Sequence, residues 1–292
     1  MEIEKVKKVT VIGAGMMGSQ IAEYLSNIGG YEVWMVDLND ELVNKGFQAI
    51  EERLERFFVS KGKLTPETKK NILSRIKRGT SIEEAVKNVD LIIEAVMENL
   101  KTKQEVFVRV DQNAPLHAIL ASNTSYQNIS EIASVTKRPE NVIGIHFFNP
   151  VTVMKLVEVV RGSKTSDDTV ETTCLFIQKL GKEPVVCRDT SYGFLANRAY
   201  MAMVKETIQM VWERVASPEE IDKAIKLGYG LPMGPLELRD YINGWRIGVT
   251  SEQDAIRELG PEKGRLHQLE KMMARSGYTK IYDFWEEVLS KW

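Results

Sequence analysis

Two short runs of apolar and β-branched residues flank a helix-like stretch near the start of the chain. Residues 6–12 and 31–36 are rich in Val, while residues 16–28 carry apolar side chains at the spacing of one helix face. Gly29 and Gly30 follow as a stop signal. The pattern predicts a strand, a helix and a second strand, which together form a βαβ unit.

The next segment has the pattern of two helices. Residues 40–61 are amphipathic at helical spacing, and Gly62 follows as a turn. Thr65 and Pro66 are an N-cap and first-turn pair, which predicts a second helix over 65–78. We expect these helices to form a hairpin inserted after the second strand.

Strand patterns return in the middle of the chain and then stop. The apolar runs cover residues 89–95, 118–121, 142–146, 154–160 and 185–187, with a helical stretch at 101–112. This alternation predicts an α/β fold with a Rossmann-like, doubly wound, mostly parallel sheet. From Gly193 onward the pattern is helical, so we predict an α/β domain at 1–188 and an all-α domain at 189–292.

Composition narrows the class of protein. The 292 residues are 43% hydrophobic and 27% charged, with a formal net charge of −2, as in soluble globular proteins. No block of basic residues indicates nucleic acid or a polybasic membrane anchor, and no run of about 20 apolar residues occurs. We expect a small-molecule partner, with no nucleic acid and no membrane.

Cysteine usage and the N-terminal pattern bear on the compartment. Cys174 and Cys187 are the two cysteines of the chain, and no Cys or His pairs stand at metal-ligand spacing. Residues 1–8 lack the apolar segment of a signal peptide. The sequence therefore predicts a reducing, cytoplasmic location and no metal site.

A glycine motif lies between the first strand and its helix. Residues 13–18 have the form G-x-G-x-x-G, and Asp37 ends the second strand about 20 residues on, as a dinucleotide site requires. A carboxylate there bonds ribose hydroxyls and repels an added phosphate, so we predict NAD and not NADP. A glycine-rich turn without ligand, with Asp37 as a helix cap, is the disfavoured alternative. The predicted cofactor-binding residues are Gly13, Gly15, Met16, Met17, Gly18 and Asp37.

One histidine has a setting that favours catalysis. His146 ends a predicted strand, and Glu158, twelve residues later, is the single acid in an apolar run. If the two strands form a hairpin about Thr152, His146 faces Glu158, and the carboxylate makes the imidazole a good general base. The alternative is a structural histidine beside an unrelated edge carboxylate. His117 and His267 lack such neighbours.

Two further polar positions are candidates. Ser125 closes the segment 122–125, which follows a predicted strand and so lies at the carboxyl edge of the sheet. The alternative is an ordinary turn that caps a helix near 128–132. Asn197 lies in the first turns of the helix that opens the second domain, where its alternative is a domain-interface hydrogen bond.

In several ordered blocks the chain resembles the L-3-hydroxyacyl-CoA dehydrogenases, which include the 3-hydroxybutyryl-CoA dehydrogenases. The blocks extend to about Ile242 and are G-A-G-M-M-G, I-E-A-V-M-E-N-L-K-T-K, S-N-T-S, H-F-F-N-P, V-M-K-L-V-E-V-V, G-F-L-A-N-R and L-G-Y-G-L-P-M-G-P-L-E-L-R-D-Y. The resemblance implies NAD-dependent, reversible oxidation of L-3-hydroxyacyl-CoA to 3-ketoacyl-CoA, and a homodimer formed through the helical domain.

The resemblance also implies roles for individual residues. His146 would be the catalytic base and Glu158 its partner, while Ser125 and Asn197 would hold substrate oxygens. Cofactor contacts would come from Glu98, Lys103, Asn149 and Ser125. The helical hairpin would contact coenzyme A through one of its basic residues, with Lys61 preferred over Arg53, Arg56 and Lys63.

The chain departs from the usual sequence of the family at two places. The block after Tyr241 is Ile-Asn-Gly-Trp-Arg where the family has G-L-D, and the usual glycine-rich ending is missing. A related branch, the L-gulonate 3-dehydrogenases and lambda-crystallins, shares the fold and is the alternative function. That branch carries H-P-x-N-P where this chain has H-F-F-N-P. A non-enzymatic role would predict a damaged site, whereas all the site residues are present.

Overall fold

The computed structural model of the chain describes residues 6–190 and 192–291; residues 1–5, 191 and 292 lie outside this description. The chain divides into two compact units, Met1–Thr190 and Ser191–Trp292. The first is α/β and the second is helical throughout its described part. No helix among the described residues is both long and apolar enough to cross a membrane.

An eight-stranded sheet forms the centre of the first unit. The strands are β1 (Lys8–Ile12), β2 (Glu32–Val36), β3 (Ile76–Gly79), β4 (Leu91–Glu94), β5 (Ile119–Ser122), β6 (Val142–Phe147), β7 (Leu156–Arg161) and β8 (Glu183–Arg188). Their order is β3-β2-β1-β4-β5-β6-β7-β8, and every neighbouring pair is parallel except β6 with β7. The order reverses at β1 and β4, where doubly wound sheets bind their ligands. The predicted fold class is confirmed.

Helices cover the sheet and connect its strands. They are α1 (Met16–Asn27), α2 (Asp40–Leu54), α3 (Pro66–Ser74), α4 (Ile82–Ala85), α5 (Leu100–Asn113), α6 (Ile129–Ala133) and α7 (Asp167–Lys179). Val9, Val11, Val33 and Met35 point from one face of the sheet into the main core, where α1 adds Ile21 and other apolar side chains. The alternation of these strand residues is the period of two expected for one sheet face.

Both helices of the hairpin start where the sequence predicted but end earlier. The first helix ends at Leu54 and continues as a π-helical turn, Glu55–Val59, and the second ends at Ser74 instead of near 78. Residues 76–79 form the edge strand β3, in which Ile76 is buried and pairs with Val33. With Ile76 as its one large apolar residue, this run has almost no strand pattern in the sequence. Its strand structure comes from hydrogen bonds to β2.

The second unit packs six helices around an apolar core. They are α8 (Ala196–Trp212), α9 (Pro218–Tyr229), α10 (Pro235–Tyr241), α11 (Gly244–Gly264), α12 (Gln268–Arg275) and α13 (Ile281–Glu287). Trp245 and Phe284 are buried in this core, so the departures from the family pattern supply core residues. A break at Gly260, where φ is +77°, interrupts α11 ahead of Pro261.

Candidate active site

The glycine motif forms a tight turn from β1 into α1. Gly13 has a φ of +104°, and its N–H donates to Val36 O at 2.7 Å. A Cβ on Gly18 would lie 1.8 Å from Gly13 O, so only glycine permits the helix to pack this closely. A Cβ on Gly15 would meet nothing within 4 Å, so the backbone at the helix N-terminus is open to an approaching group. The turn fits a pyrophosphate at the helix N-terminus.

Asp37 is bound to the glycine turn. Its Oδ2 accepts from Ala14 N–H at 2.6 Å and its Oδ1 from Leu38 N–H at 2.7 Å, which fixes the carboxylate at the end of β2. Its remaining lone pairs suit the hydroxyls of a ribose. Met16 is exposed beside the turn, whereas the side chain of Met17 packs against the core. The predicted role of Met17 would therefore fall to its backbone N–H.

The paired strands β6 and β7 bring the predicted base and carboxylate together. His146 faces Glu158 in the antiparallel register, as the hairpin about Thr152 predicted, and Nδ1 lies 2.8 Å from Glu158 Oε2. His146 is 4% exposed and Glu158 is fully buried. A carboxylate only accepts, so Nδ1 carries a proton, and in the neutral imidazole Nε2 then keeps its lone pair. The imidazole is thus set up as a proton acceptor through Nε2.

Ser125 lies next to the second ring nitrogen, Nε2, of this imidazole. Its Oγ is 3.1 Å from His146 Nε2. The backbone around it is held by Glu98, whose Oε1 accepts from the N–H of Ser125 at 3.0 Å and of Tyr126 at 2.9 Å, and from the Thr124 hydroxyl. One carboxylate therefore fixes the loop that carries the serine.

Lys103 lies behind Glu98 and is almost fully buried. Its Nζ is 2.8 Å from Glu94 Oε1 and 3.2 Å from Glu98 Oε2. Burial acts to lower the pKa of Lys103, but the two carboxylates outweigh it, so the pKa is raised. The ammonium bonds other protein groups, and the predicted contact of Lys103 with the cofactor stays a prediction. The structure shows that Lys103 fixes Glu98.

Two residues of this edge were missed by the sequence analysis. Glu94 ends β4, fully buried, and its Oε2 accepts from the Ser122 hydroxyl at 2.6 Å. Gln20, two residues after the glycine motif, donates to Asn149 Oδ1 at 3.0 Å. Glu94 stands inside the block I-E-A-V-M-E-N-L, and an acid directly after the apolar run 91–93 was an available signal. Gln20 has no such signal, because its partner is distant in sequence.

The hairpin presents a different arrangement of charge. Arg56 and Lys61 lie on an exposed phenylalanine, Phe57, at 5.3 and 5.6 Å from its ring centroid. Arg53 is bound to buried Glu23, with Nε to Oε2 at 2.6 Å, so it stabilises the packing of α1 against α2. Arg56 and Lys61 thus suit a phosphate-bearing ligand, and Arg53 does not.

Asn197 lies in the first turn of α8 in the second unit and is half-buried. Its predicted contact with a substrate oxygen stays a prediction. Among the described residues, no group of three or more His, Cys, Asp or Glu side chains is arranged to hold a metal ion.

A glycine turn at the sheet's reversal point, an acid directly after β2 and a histidine on β6 define a dinucleotide-binding dehydrogenase site. The family model for the NAD binding domain of 3-hydroxyacyl-CoA dehydrogenase matches residues 8–190, and that for its C-terminal domain matches 193–280. The chain belongs to the 3-hydroxyacyl-CoA dehydrogenase family, and its first unit is an NAD-binding domain.

Individual relatives agree with the family models. The chain is 45% identical over 238 residues to the probable 3-hydroxybutyryl-CoA dehydrogenase of Bacillus subtilis, covering 82% of each chain. It is 41% identical over 286 residues to the human mitochondrial hydroxyacyl-coenzyme A dehydrogenase, covering 94% of this chain and 88% of the relative. The crystal structure of the (S)-3-hydroxybutyryl-CoA dehydrogenase from Ralstonia eutropha superposes with a TM-score of 0.87 at 37% identity, covering 95% and 99%.

Proposed function

We propose that the protein catalyses the reversible, NAD-dependent oxidation of L-3-hydroxyacyl-CoA to 3-ketoacyl-CoA. The bond from His146 Nδ1 to buried Glu158 carries the proposal, because it sets up one imidazole nitrogen as a base at the carboxyl edge of an NAD-binding sheet. The names of the relatives supply the substrate class. They do not favour the alternative of a sugar-acid dehydrogenase.

His146 takes the proton of the substrate's 3-hydroxyl at Nε2. Glu158 stabilises the imidazolium that results, because its carboxylate stays bonded to Nδ1 and offsets the new charge. Ser125 Oγ, 3.1 Å from Nε2, donates to that nitrogen before the substrate binds and can then bond the substrate oxygen. Bound NAD supplies the acceptor for the hydride that leaves C3. Reduction of the ketone uses the same groups in reverse.

NAD would be held by the glycine turn and the groups around it. Gly15 would leave the helix N-terminus open to the pyrophosphate, Gly13 and Gly18 permit the tight turn and the close packing behind it, and Asp37 would accept from the ribose hydroxyls. Met16, Met17, Glu98, Lys103, Ser125 and Asn149 complete the proposed set. Domain roles follow: residues 1–188 bind NAD, and residues 189–292 serve substrate binding and dimerisation.

Coenzyme A would be held in part by the hairpin. Lys61 and Arg56 offer two cations beside the exposed ring of Phe57. Cations bind the phosphates of such a ligand, and an exposed aromatic face suits its adenine. Asn197 of the second unit is proposed to hold a substrate oxygen.

A cytoplasmic homodimer is the proposed form of the protein. Cys174 and Cys187 are free thiols, as expected in a reducing compartment.

The second unit exposes large apolar side chains on and after α9, with Leu227 and Tyr229 each 79% exposed. Such exposure favours a self-association surface. Light scattering on the purified chain tests it, and a monomeric mass would contradict it.

The activity test is consumption of NADH with acetoacetyl-CoA. NADPH and free acetoacetate serve as parallel controls for cofactor and substrate class. Fast oxidation of NADH that requires the CoA ester supports the proposal. Turnover of L-gulonate with NAD, and none with any 3-ketoacyl-CoA, would contradict it.

A further inference from the structure

The amide of Gln20 is fixed in one orientation by two backbone groups. Its Oε1 accepts from Val151 N–H at 3.0 Å, and its Nε2 donates to Met16 O at 3.2 Å. A backbone N–H only donates and a backbone carbonyl only accepts, so exchanging the oxygen and nitrogen of this amide would break both bonds. Gln20 is 7% exposed, and reversal would leave its buried polar atoms mismatched.

This orientation determines that of a second amide. The Nε2 of Gln20 also donates to Oδ1 of Asn149 at 3.0 Å, so the oxygen of Asn149 faces Gln20. The Nδ2 group of Asn149 then points away from Gln20, and the residue is exposed. Gln20 thereby connects α1, the helix after the glycine motif, to the loop that follows His146. Asn149 lies in this loop, three residues after His146.

We infer that Gln20 is a positioning residue that sets the polarity of the Asn149 amide, so that Asn149 offers N–H donors to a carbonyl oxygen of the bound ligand. The inference rests on the proposed function, in which two ligands bring a carbonyl: NAD through its carboxamide and the acyl-CoA through its acyl chain. Without Gln20 the amide of Asn149 turns freely, and half of its orientations present an oxygen to that carbonyl.

A double-mutant cycle separates this role from a merely structural one. The variants are Gln20→Met, Asn149→Ala and the pair, and the readout is the Kd for NADH from its fluorescence, with no substrate present. If Gln20 acts through Asn149, Gln20→Met weakens binding by about twofold, because half of the orientations of the Asn149 amide no longer donate, and it has no further effect once Asn149 is alanine. Gln104→Met is the matched control, because that amide bonds Glu131 O elsewhere in the unit.

A second variant keeps the packing of the site. In Gln20→Glu the carboxylate still accepts from Val151 N–H but cannot donate to Asn149, whose amide then turns its nitrogen inward. We expect weaker binding than in the wild type at a pH where the new carboxylate is ionised. This variant replaces Gln20→Met in the cycle if the methionine variant fails to fold.

The same cycle on the Kd for acetoacetyl-CoA identifies the source of the carbonyl. Coupling in NADH binding would mean that Asn149 donates to the carbonyl of the nicotinamide carboxamide. Coupling in acyl-CoA binding alone would mean that it donates to the carbonyl of the substrate. Equal effects of Gln20→Met with and without Asn149, or no effect on either ligand, overturn the inference. Because ligand binding is measured without turnover, absence of dehydrogenase activity would contradict the proposed function and leave this result standing.

Discussion

The sheet edge and the helical hairpin both carry charge, but they hold it in opposite ways. At the sheet edge Lys103 and Glu158 are almost fully buried, and each charge is bonded to fixed partners. On the hairpin Lys61 and Arg56 are exposed and lie on Phe57. A proton acceptor needs a preorganised position, whereas phosphate recognition tolerates mobile, screened cations. Substitutions should therefore affect the rate or the stability at the first region and affinity at the second.

Loss of the imidazole should have the largest effect. We expect His146→Gln to lower kcat by about 10²- to 10⁴-fold, because the 3-hydroxyl loses its proton acceptor. The Kd for NADH should change little. His117→Gln is the matched control, since that histidine is exposed beside Asp90. Retained turnover in His146→Gln, measured in steady state, would remove the proposed base.

Loss of the buried ammonium should act on stability. Lys103→Met leaves the carboxylates of Glu94 and Glu98 without their cation, and breaking a buried pair costs about 3–5 kcal/mol of unfolding free energy. Urea unfolding measures it, with Lys69→Met as control, because that lysine pairs with Glu55 at the surface. A loss no larger than in the control would mean that the buried cluster contributes no more to stability than a surface ion pair.

The two regions also differ in what the sequence could predict. The pairing of His146 with Glu158 follows from strand alternation about a turn, so the pattern alone gave the register. The edge strand β3 and the bond from Gln20 to Asn149 depend on contacts between distant residues, which periodicity does not encode. The position of Lys103 is a third such case. The resemblance implied that Lys103 lies along the cofactor, whereas its burial among carboxylates depends on the folded chain.

Loss of a hairpin cation should have a small effect. We expect Lys61→Ala to raise KM for acetoacetyl-CoA by about two- to fivefold with kcat unchanged, the scale of one exposed charge pair. The effect should shrink as salt screens the phosphates. Lys87→Ala, exposed elsewhere in the unit, is the control. A fall in kcat as large as that of His146→Gln would break the distinction between the two regions.

The pH dependence of stability gives an effect that is confined to alkaline conditions and reports on the buried region. Burial, followed by the carboxylates of Glu158 and Asp189, raises the pKa of the Cys187 thiol from 9.0 to about 12. Above pH 9 the unfolded chain loses this proton while the folded protein keeps it, so Cys187 makes stability fall as pH rises toward 12. Replacing the thiol in Cys187→Ala should flatten the decline in Tm between pH 8 and about 10.5 relative to the wild type. Burial alone raises the pKa of the half-buried Cys174 thiol, so Cys174→Ala should change the slope less, and an equal change would show that the carboxylates of Glu158 and Asp189 add nothing at Cys187.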